Sequence, residues 1–297
     1  MAHRTALVTG ASGLVGSAVV NALVEDGWHV LYCARGRPSP EKTGVTWVPY
    51  DLRDSLPADF GLGAEVLIHG ALASGSNKNS LPVNVAGTRL LLEAARQNGI
   101  ERRIFLSSLA ADAEALSDYG RQKYEIEGLF DTRVDAIVRP GLVIGDGGLF
   151  RKLVEQLRRG ALVPLIDGGR QPMQTVLDDD LAKAITRIAR DRIAGRFTIA
   201  EPDPVDYQVF WAEVASQMDV PIRFLPIRFW LADLCARLAD KLPIPLPVNR
   251  ERLLGLKAML AQSVTSDANV IGQSLHRYDE SIRIALPKIV SSLSRKT

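Results

Sequence analysis

The sequence has little of what metal sites, disulfide frameworks and membrane spans require. Its 297 residues include two cysteines and four histidines, scattered along the chain, so we expect no metal site and no secreted disulfide framework. No apolar run reaches the ~18 residues that suggest a membrane-spanning helix. The N-terminal residues lead straight into a predicted strand and leave no room for a signal peptide. We therefore expect a cytoplasmic protein.

An excess of charge of one sign is also missing. The formal net charge is +2, and the arginine runs are short, at 101–103 and 158–159. Although the pI is about 8.5, no basic stripe accompanies it, so we expect no nucleic-acid partner. Hydrophobic residues at 46% and charged residues at 24% are typical of a globular protein long enough for one large or two modest domains.

Short apolar runs alternate with helical patterns over the first 145 residues. Such runs are typical of strands buried on both faces, and their alternation with helices predicts βαβ units. The predicted strands are 5–10, 29–34, 45–51, 65–71, 103–108 and 134–140, and the helices among them are 14–26, 84–99 and 119–130. The fold class that follows is α/β, with a doubly wound parallel sheet.

The texture of the sequence changes after about residue 145. Helical patterns follow over 149–160, 178–192, 207–218, 227–242 and 249–262. We expect residues 146–297 to form a smaller, mostly helical substrate-binding or lid region, with one strand at 195–201 returning to the sheet of a domain over 1–145. The apolar stripe of 227–242 predicts a core helix. The alternatives are a wall of an apolar substrate pocket, joined by Trp211, Trp230 and Phe229, and a peripheral membrane contact.

A glycine loop follows the first predicted strand directly. "TGASGLVG" has Gly10, Gly13 and Gly16 at the turn into the first helix. Glycine permits a sharp turn, close approach of a pyrophosphate and tight helix packing, and the helix N-terminus offers amide donors. The loop predicts a Rossmann-type dinucleotide site; the alternative is a tight turn without a ligand.

The end of the second strand indicates which dinucleotide binds. "YCARGR" has no acid where a carboxylate would contact the ribose 2′-hydroxyl, but has Arg35 and Arg37. Guanidinium groups suit a phosphate, so NADP(H) is favoured over NAD(H). The alternative is a solvated loop with two incidental arginines. Asp51, at the end of the third strand, either accepts from the adenine amino group or caps the following turn, and both interpretations stay open.

A tyrosine and a lysine lie one helical turn apart in "YGRQK". Tyr119 and Lys123 share one face of a predicted helix, and Ser108 ends the fifth strand, at the edge where doubly wound sheets bind ligands. The pKa of a free tyrosine is about 10, and a nearby ammonium favours the phenolate. The three residues predict acid–base chemistry on a substrate oxygen; the alternative is a surface pair with a strand-end serine.

Taken together, these segments resemble a short-chain dehydrogenase/reductase of the extended or atypical branch, the NAD-dependent epimerase/dehydratase family. The resemblance is strong over 4–145 and looser to about 200. It is carried by "TGASGLVG", "DLRD", "HGALA", "NVAGT", "FLSS", "YGRQK" and "RPGLVIG".

The resemblance implies roles for individual residues. Tyr119 would be the acid/base, Ser108 would orient the substrate oxygen, and Lys123 would bind the nicotinamide ribose and tune Tyr119. The implied cofactor-binding residues are Gly10, Ser12, Gly13, Leu14, Val15, Gly16, Arg35, Asp51, Leu52, Ala71, Ala73, Lys123 and Pro140. The family often pairs through two helices, so a homodimer is expected.

Two departures from the family pattern bear on the substrate and the site. The residue before the lysine is usually small, and here it is Gln122. Where sugar-nucleotide enzymes carry an arginine for the diphosphate, this chain has Met173 or Gln174, with Arg170 nearby.

The function hypothesis is an NAD(P)(H)-dependent oxidoreductase or epimerase that acts on a carbonyl or secondary alcohol of a sugar-derived or apolar compound. The alternative is a non-catalytic NADP(H)-binding structural or sensor subunit.

Overall fold

The computed structural model describes residues 4–73, 80–115, 117–160, 162–228, 230 and 264–294. The strands are β1 (Thr5–Thr9), β2 (His29–Ala34), β3 (Val45–Pro49), β4 (Val66–His69), β5 (Arg102–Leu106), β6 (Ala136–Pro140), β7 (Leu142–Ile144), β8 (Val163–Ile166), β9 (Pro172–Met173), β10 (Thr175–Leu177), β11 (Gly195–Ile199), β12 (Val205–Asp206) and β13 (Phe224–Ile227). The helices are α1 (Leu14–Glu25), α2 (Ser80–Gln97), α3 (Asp118–Glu127), α4 (Gly148–Arg158), α5 (Asp178–Arg190), α6 (Tyr207–Gln217), α7 (Ala268–Ile271) and α8 (Tyr278–Ser294).

Within the described residues, seven strands form one sheet in the order β11-β6-β5-β4-β1-β2-β3. Every neighbouring pair is parallel, so all the carboxyl ends meet at one edge. The strand order reverses between β1 and β4, and in doubly wound sheets ligands bind in the crevice outside that point. The predicted α/β fold class is confirmed.

Helices cover both faces of the sheet because each presents an apolar stripe to it. On one face, α1 and α5 contribute Val19, Val20, Leu23, Leu181, Ile185 and Ile188 to a single buried cluster. On the other face, α2 and α3 contribute Leu91, Ala95 and Ile126. Acidic residues fill the first turn of α5 and arginines its last turn, which matches the polarity of a helix dipole.

The later part of the chain has its own core. Aromatic residues of α4 and α6, above all Phe150, Phe210 and Trp211, pack with the apolar side of α8. Three short strand pairs, β7 with β10, β8 with β13 and β9 with β12, surround this core, and the sequence predicted none of them. Neither did it predict α8. The division of the chain into domains at residue 145 stays a proposal.

The predicted helices after residue 227 and the proposed pocket residues Trp211 and Trp230 can be compared with the structure only in part. The predicted helices over 227–242 and 249–262 lie, apart from 227, 228 and 230, outside the described residues. Trp230 is 62% exposed, whereas Trp211 is 1% exposed inside the second core. Trp211 is therefore a core residue, which does not support the alternative that it joins a pocket wall. In the part of the chain that the structure describes, no helix is both long and apolar enough to cross a membrane.

Candidate active site

The glycine loop turns β1 sharply into α1. Gly10 has a φ of +69°, and a Cβ there would lie 2.6 Å from the backbone carbon of Gly70. A Cβ at Gly16 would lie 2.1 Å from the Gly10 carbonyl oxygen. Both glycines are therefore required by the packing of the loop itself. Gly13 is different: it is exposed, has an extended backbone and stands at the N-cap of α1 without a capping side chain. The amide end of α1 thus opens at the strand edge.

A cavity of about 250 Å³ lies beside this loop. Eight of the predicted cofactor-binding residues line it, namely Gly10, Ser12, Gly13, Arg35, Asp51, Leu52, Ala71 and Ala73. The prediction missed six further lining residues, Cys33, Ala34, Tyr50, Arg53, Gly70 and Leu72. The signal was present for most of them, because they adjoin predicted residues at the ends of β2, β3 and β4. The other predicted cofactor residues, Leu14, Val15, Gly16, Lys123 and Pro140, do not line this cavity.

The two arginines after β2 have different surroundings. Arg35 lines the cavity and is exposed. The guanidinium of Arg37 lies over the Trp47 ring, 4.9 Å from its centroid. Arg35 is therefore the one placed to meet a ligand in the cavity.

Asp51 caps a turn at the cavity wall. Its Oδ1 accepts a hydrogen bond of 3.0 Å from the backbone N–H of Arg53, and the Arg53 guanidinium lies 3.4 Å away. The capping alternative is thus observed. Because Asp51 also lines the cavity, an adenine contact stays a prediction.

Helix α3 carries the tyrosine and the lysine to the edge of the sheet. It begins after Ser117, whose hydroxyl accepts a 3.1 Å hydrogen bond from the Gly120 N–H. A Cβ at Gly120 would lie 2.3 Å from the Ala110 carbonyl oxygen, so the helix start packs directly on the loop after Ser108. The phenol of Tyr119 is hydrogen-bonded to Ser108. Serine and tyrosine therefore present their hydroxyl groups together.

Lys123 is buried one turn further along α3. Its Nζ donates a 2.5 Å hydrogen bond to the Leu106 carbonyl oxygen. The same atom lies 4.7 Å from the centroid of the Phe105 ring and 5.9 Å from that of Tyr119. The structure thus brings Ser108, Tyr119 and Lys123 together beside the carboxyl end of β5.

The pKa values of both titratable groups are shifted, although Tyr119 is 40% exposed and Lys123 only 4%. Desolvation raises the pKa of Tyr119, and its hydrogen bond with Ser108 acts in the opposite direction. Desolvation lowers the pKa of Lys123 to about 8, although the Glu127 carboxylate acts to raise it. The sequence predicted a lowered tyrosine pKa, whereas burial here acts to raise it. Lowering therefore requires the field of a charged Lys123 to outweigh desolvation.

A buried polar chain supports the loop that follows β4. His69 lies between the hydroxyl groups of Thr9 and Thr88, at 2.7 and 3.0 Å, and burial lowers its pKa to about 3, so it is neutral. Asn84 bonds both the N–H and the carbonyl oxygen of Ala73, and donates a 2.7 Å hydrogen bond to Gln122. Gln122, the departure from the family pattern, thus ties α3 to α2.

The two residues at the position of a diphosphate-binding arginine are engaged within the protein itself. Met173 is 1% exposed in the second core. The side-chain amide of Gln174 donates to the carbonyl oxygens of Glu201 and Val264 and accepts from the Val264 N–H. Neither side chain is available to a substrate phosphate. In the described residues, no group of three or more His, Cys, Asp or Glu side chains is arranged to hold a metal ion.

Comparison with known proteins assigns this chain to a family. The model of the NAD dependent epimerase/dehydratase family matches residues 6–200. The uncharacterized protein Rv2047c of Mycobacterium tuberculosis is 27% identical over 221 residues, which cover 72% of this chain but 24% of that protein, so the chain spans about a quarter of the length of this relative. The ceramide reductase of Caulobacter vibrioides is 29% identical over 226 residues, covering 72% of this chain and 69% of the reductase.

Solved structures share the fold. The structure of MoeE5 in complex with UDP-glucose and NAD superposes with a TM-score of 0.72 at 22% identity, over 97% of this chain and 99% of MoeE5. At this level of identity the likeness shows the fold.

Proposed function

Because this chain belongs to the NAD dependent epimerase/dehydratase family, we propose that it is an NAD(P)(H)-dependent oxidoreductase or epimerase of the short-chain dehydrogenase/reductase type, acting on a carbonyl compound or secondary alcohol. One observation carries the proposal. Ser108 and Tyr119 are hydrogen-bonded to each other above the buried Lys123, at the sheet edge that also holds the glycine loop. A tyrosine and a lysine with a purely structural role would not require a serine hydroxyl beside the phenol.

The residues around the glycine loop fit a dinucleotide. The uncapped N-terminus of α1 offers backbone donors to a pyrophosphate, and Gly13 leaves space for its approach. The neighbouring cavity, lined by Arg35, Asp51 and Leu52, would hold the adenosine half. When bound, a nicotinamide cofactor supplies or accepts the hydride.

The chain's own residues would manage the proton. The Ser108 hydroxyl holds the substrate oxygen beside the phenol, and Tyr119 gives a proton to that oxygen or takes one from it. Lys123, when charged, favours the phenolate and so opposes the effect of burial on Tyr119. The lysine would also bind the nicotinamide ribose.

The test is the Tyr119→Phe substitution. Turnover is expected to fall at least ~10²-fold, because the proton donor is lost while packing is kept. Cofactor affinity is expected to stay nearly unchanged. Tyr124→Phe is the matched control, since Tyr124 is 42% exposed on the same helix, and its turnover should equal that of the wild type. Reduced-nicotinamide absorbance with a panel of carbonyl compounds provides the assay.

The outcomes separate the hypotheses. Wild-type turnover in Tyr119→Phe would refute the assigned role. Cofactor that binds and never turns over would favour a non-catalytic NADP(H)-binding structural or sensor subunit. Stoichiometric consumption of added cofactor would indicate net oxidation or reduction, and turnover without consumption would indicate epimerisation.

For the cofactor, we propose a preference for NADP(H) over NAD(H). Arg35 lies just after β2 and lines the cavity with an exposed side chain, and a guanidinium there suits a 2′-phosphate. Arg35→Asp is expected to move the ratio of NADP(H) to NAD(H) affinity toward NAD(H) by at least ~10-fold, since a like charge then faces the phosphate. Arg37→Asp, at the guanidinium stacked on Trp47, serves as the control. Equal ratios in Arg35→Asp and the wild type would overturn the phosphate assignment.

For the substrate, we propose an apolar or sugar-derived carbonyl compound that lacks a nucleoside diphosphate. The engagement of Gln174 and the burial of Met173 support this, because neither can neutralise a diphosphate, which leaves the exposed Arg170 as the nearest cation in the sequence. Similarity to a ceramide reductase supports the apolar alternative.

For the quaternary state, we propose a homodimer that pairs through α2 and α3. Both helices carry a large exposed apolar residue, Leu90 at 53% and Tyr124 at 42% exposure. The groove beside α2 is lined by arginines and by acidic residues, among them Arg96 and Asp131. A second copy could therefore bind there through complementary charge.

A further inference from the structure

A buried carboxylate lies one helical turn beyond the lysine of the candidate active site. Glu127 is 3% exposed and ends α3, four residues after Lys123. It accepts two hydrogen bonds from the Arg139 guanidinium, at 2.8 and 2.6 Å, and one from the Ser107 hydroxyl. Arg196 of β11 approaches the same carboxylate at 3.5 Å. The residue that follows β5 and the strands β6 and β11 therefore converge on this single side chain.

The partners of Glu127 explain how a buried carboxylate is tolerated. An isolated buried charge is costly, whereas one that accepts several charge-assisted hydrogen bonds is stable. Arg139 binds it through two nitrogen atoms, which fixes the plane of the carboxylate. Ser107, the third donor, immediately precedes Ser108. The acid, which lies on the same helix as Tyr119, is thus fixed to the residue next to Ser108.

Lys123 is in the opposite situation, because it has few groups that stabilise its charge. Its Nζ bonds one backbone carbonyl oxygen and lies over the Phe105 ring. The titratable groups around it are Tyr119 and Glu127 on its own helix and His69 on β4, with Arg139 and Arg196 behind Glu127. His69 is neutral, since burial and the Lys123 charge both lower its pKa. Among the charged neighbours, Glu127 is the one that favours the ammonium.

We propose that Glu127 is a positioning residue that keeps Lys123 protonated beneath Tyr119, with Arg139 and Ser107 holding the carboxylate in place. The consequence for catalysis rests on the proposed function; the electrostatic link between the two side chains does not. In that function, a neutral Lys123 would no longer oppose the desolvation of the phenol. The acid would therefore set the upper limit of the working pH range through the lysine.

The decisive measurement is a direct titration of Lys123. Lysine labelled with ¹³C at the ε-carbon reports its own protonation by NMR, and a Lys123→Arg variant assigns the signal. We expect Glu127→Gln to lower the Lys123 pKa by about one unit or more, because an opposite charge one helical turn away is removed. Ser107→Ala removes a hydrogen bond but no charge, so the Lys123 pKa should stay within about 0.3 units of the wild type.

A double variant tests whether an unpaired Arg139, and not the loss of the acid, causes the effect of Glu127→Gln. Glu127→Gln leaves the Arg139 guanidinium without its acid, which is itself destabilising. Glu127→Gln/Arg139→Gln removes both charges, and the Lys123 pKa should still lie below that of the wild type. A wild-type pKa in the double variant would overturn the proposal, since the two charges would then cancel at the lysine. Equal shifts in Glu127→Gln and Ser107→Ala would also overturn it, because they would indicate a structural effect.

The kinetic measurement separates this proposal from the proposed function. We expect the alkaline limb of the kcat–pH profile to move to lower pH in Glu127→Gln by the same amount as the NMR titration. Ser107→Ala should leave the position of that limb unchanged. If the wild-type protein turns over no substrate, the proposed function fails, and the NMR titration still decides the role of Glu127.

Discussion

Replacing Lys123 by methionine is expected to make the protein more stable at neutral pH. The lysine is 4% exposed, and its burial lowers the pKa from 10.5 to about 8. A lowered lysine pKa means that the folded state holds the ammonium less favourably than the unfolded chain does. Methionine has a similar length and no charge, so it fills the same space without that cost.

The magnitude follows from the size of the pKa shift. At 1.36 kcal/mol for each pKa unit, the shift corresponds to about 3 kcal/mol in the free energy of unfolding. The methionine variant leaves the Leu106 carbonyl oxygen without its donor, which costs about 1 kcal/mol. The net gain is therefore about 2 kcal/mol at pH 7. In a chain of this size that corresponds to a rise in Tm of roughly 5 °C.

The gain must depend on pH in one direction. Below the folded pKa of about 8, the lysine is charged in both states and the wild type carries the full cost of burial. As the pH rises from about 8 to 10.5, the folded protein releases the proton before the unfolded chain does, and the wild type recovers stability. The advantage of Lys123→Met should therefore fade through this window and be gone above it.

Urea unfolding of both proteins at several pH values between 7 and 11 measures this difference. Lys152→Met is the matched control, because Lys152 is an exposed residue of α4; its effect should stay within about 0.5 kcal/mol at every pH. Two results would refute the reasoning: a Lys123→Met variant less stable than the wild type at pH 7, or a gain that persists unchanged at pH 11.

Two further predictions concern the glycine loop and a buried acid. Gly16→Ala should lower the Tm by several degrees, because its Cβ would lie 2.1 Å from the Gly10 carbonyl oxygen. Gly13→Ala should lower the Tm less, because its Cβ would lie 3.2 Å from the same oxygen, but should weaken cofactor binding at least ~10-fold; calorimetry and fluorescence titration check the pair, and the opposite pattern would contradict the separate roles. Burial raises the pKa of Glu201 from 4.5 to about 7, so the wild type loses stability as the pH rises through this range. Glu201→Gln should be the more stable protein at pH 8 and lose that advantage below about pH 4.5, as thermal unfolding across this range would reveal.

The parallel sheet could be predicted because burial on both faces imposes continuous apolar runs. The predicted strands at 29–34 and 195–201 differ from the observed β2 and β11 by two residues at most. Helix α2 begins at Ser80, earlier than the predicted residue 84, because a proline in the first turn does not stop a helix.

The later elements could not be predicted, for two physical reasons. Helix α8 contains Pro287 in its interior, and a proline at such a place argues against a helix; packing of its apolar side against the second core overrides that preference. The strands β8 and β13 are four residues each and pair across a long separation, Val163 beside Phe224. Runs this short carry no usable periodicity, so only the tertiary fold defines them.

The candidate site likewise has a part that the sequence could predict and a part that it could not. The spacing of Tyr119 and Lys123 is local, so the sequence alone could bring them together on one helix. Glu127 was missed because its partners Ser107 and Arg139 lie 20 and 12 residues away, and no pattern within the helix announces them. The cavity lining was half predicted, since the missed residues adjoin predicted ones at the strand ends, where the sequence alone does not show which side chains face the cavity.

The helix α5 and the strand β11 complete the first core late in the chain, which has a consequence for synthesis of the protein. When the first 145 residues have left the ribosome, β6 still has an open edge, and the buried side of α1 lacks the Leu181 and Ile185 side chains that cover it. Unpaired edges and bare apolar faces invite association between nascent chains. The sheet closes only after residue 199 is made, so a fragment ending near 145 should require a chaperone to stay dispersed.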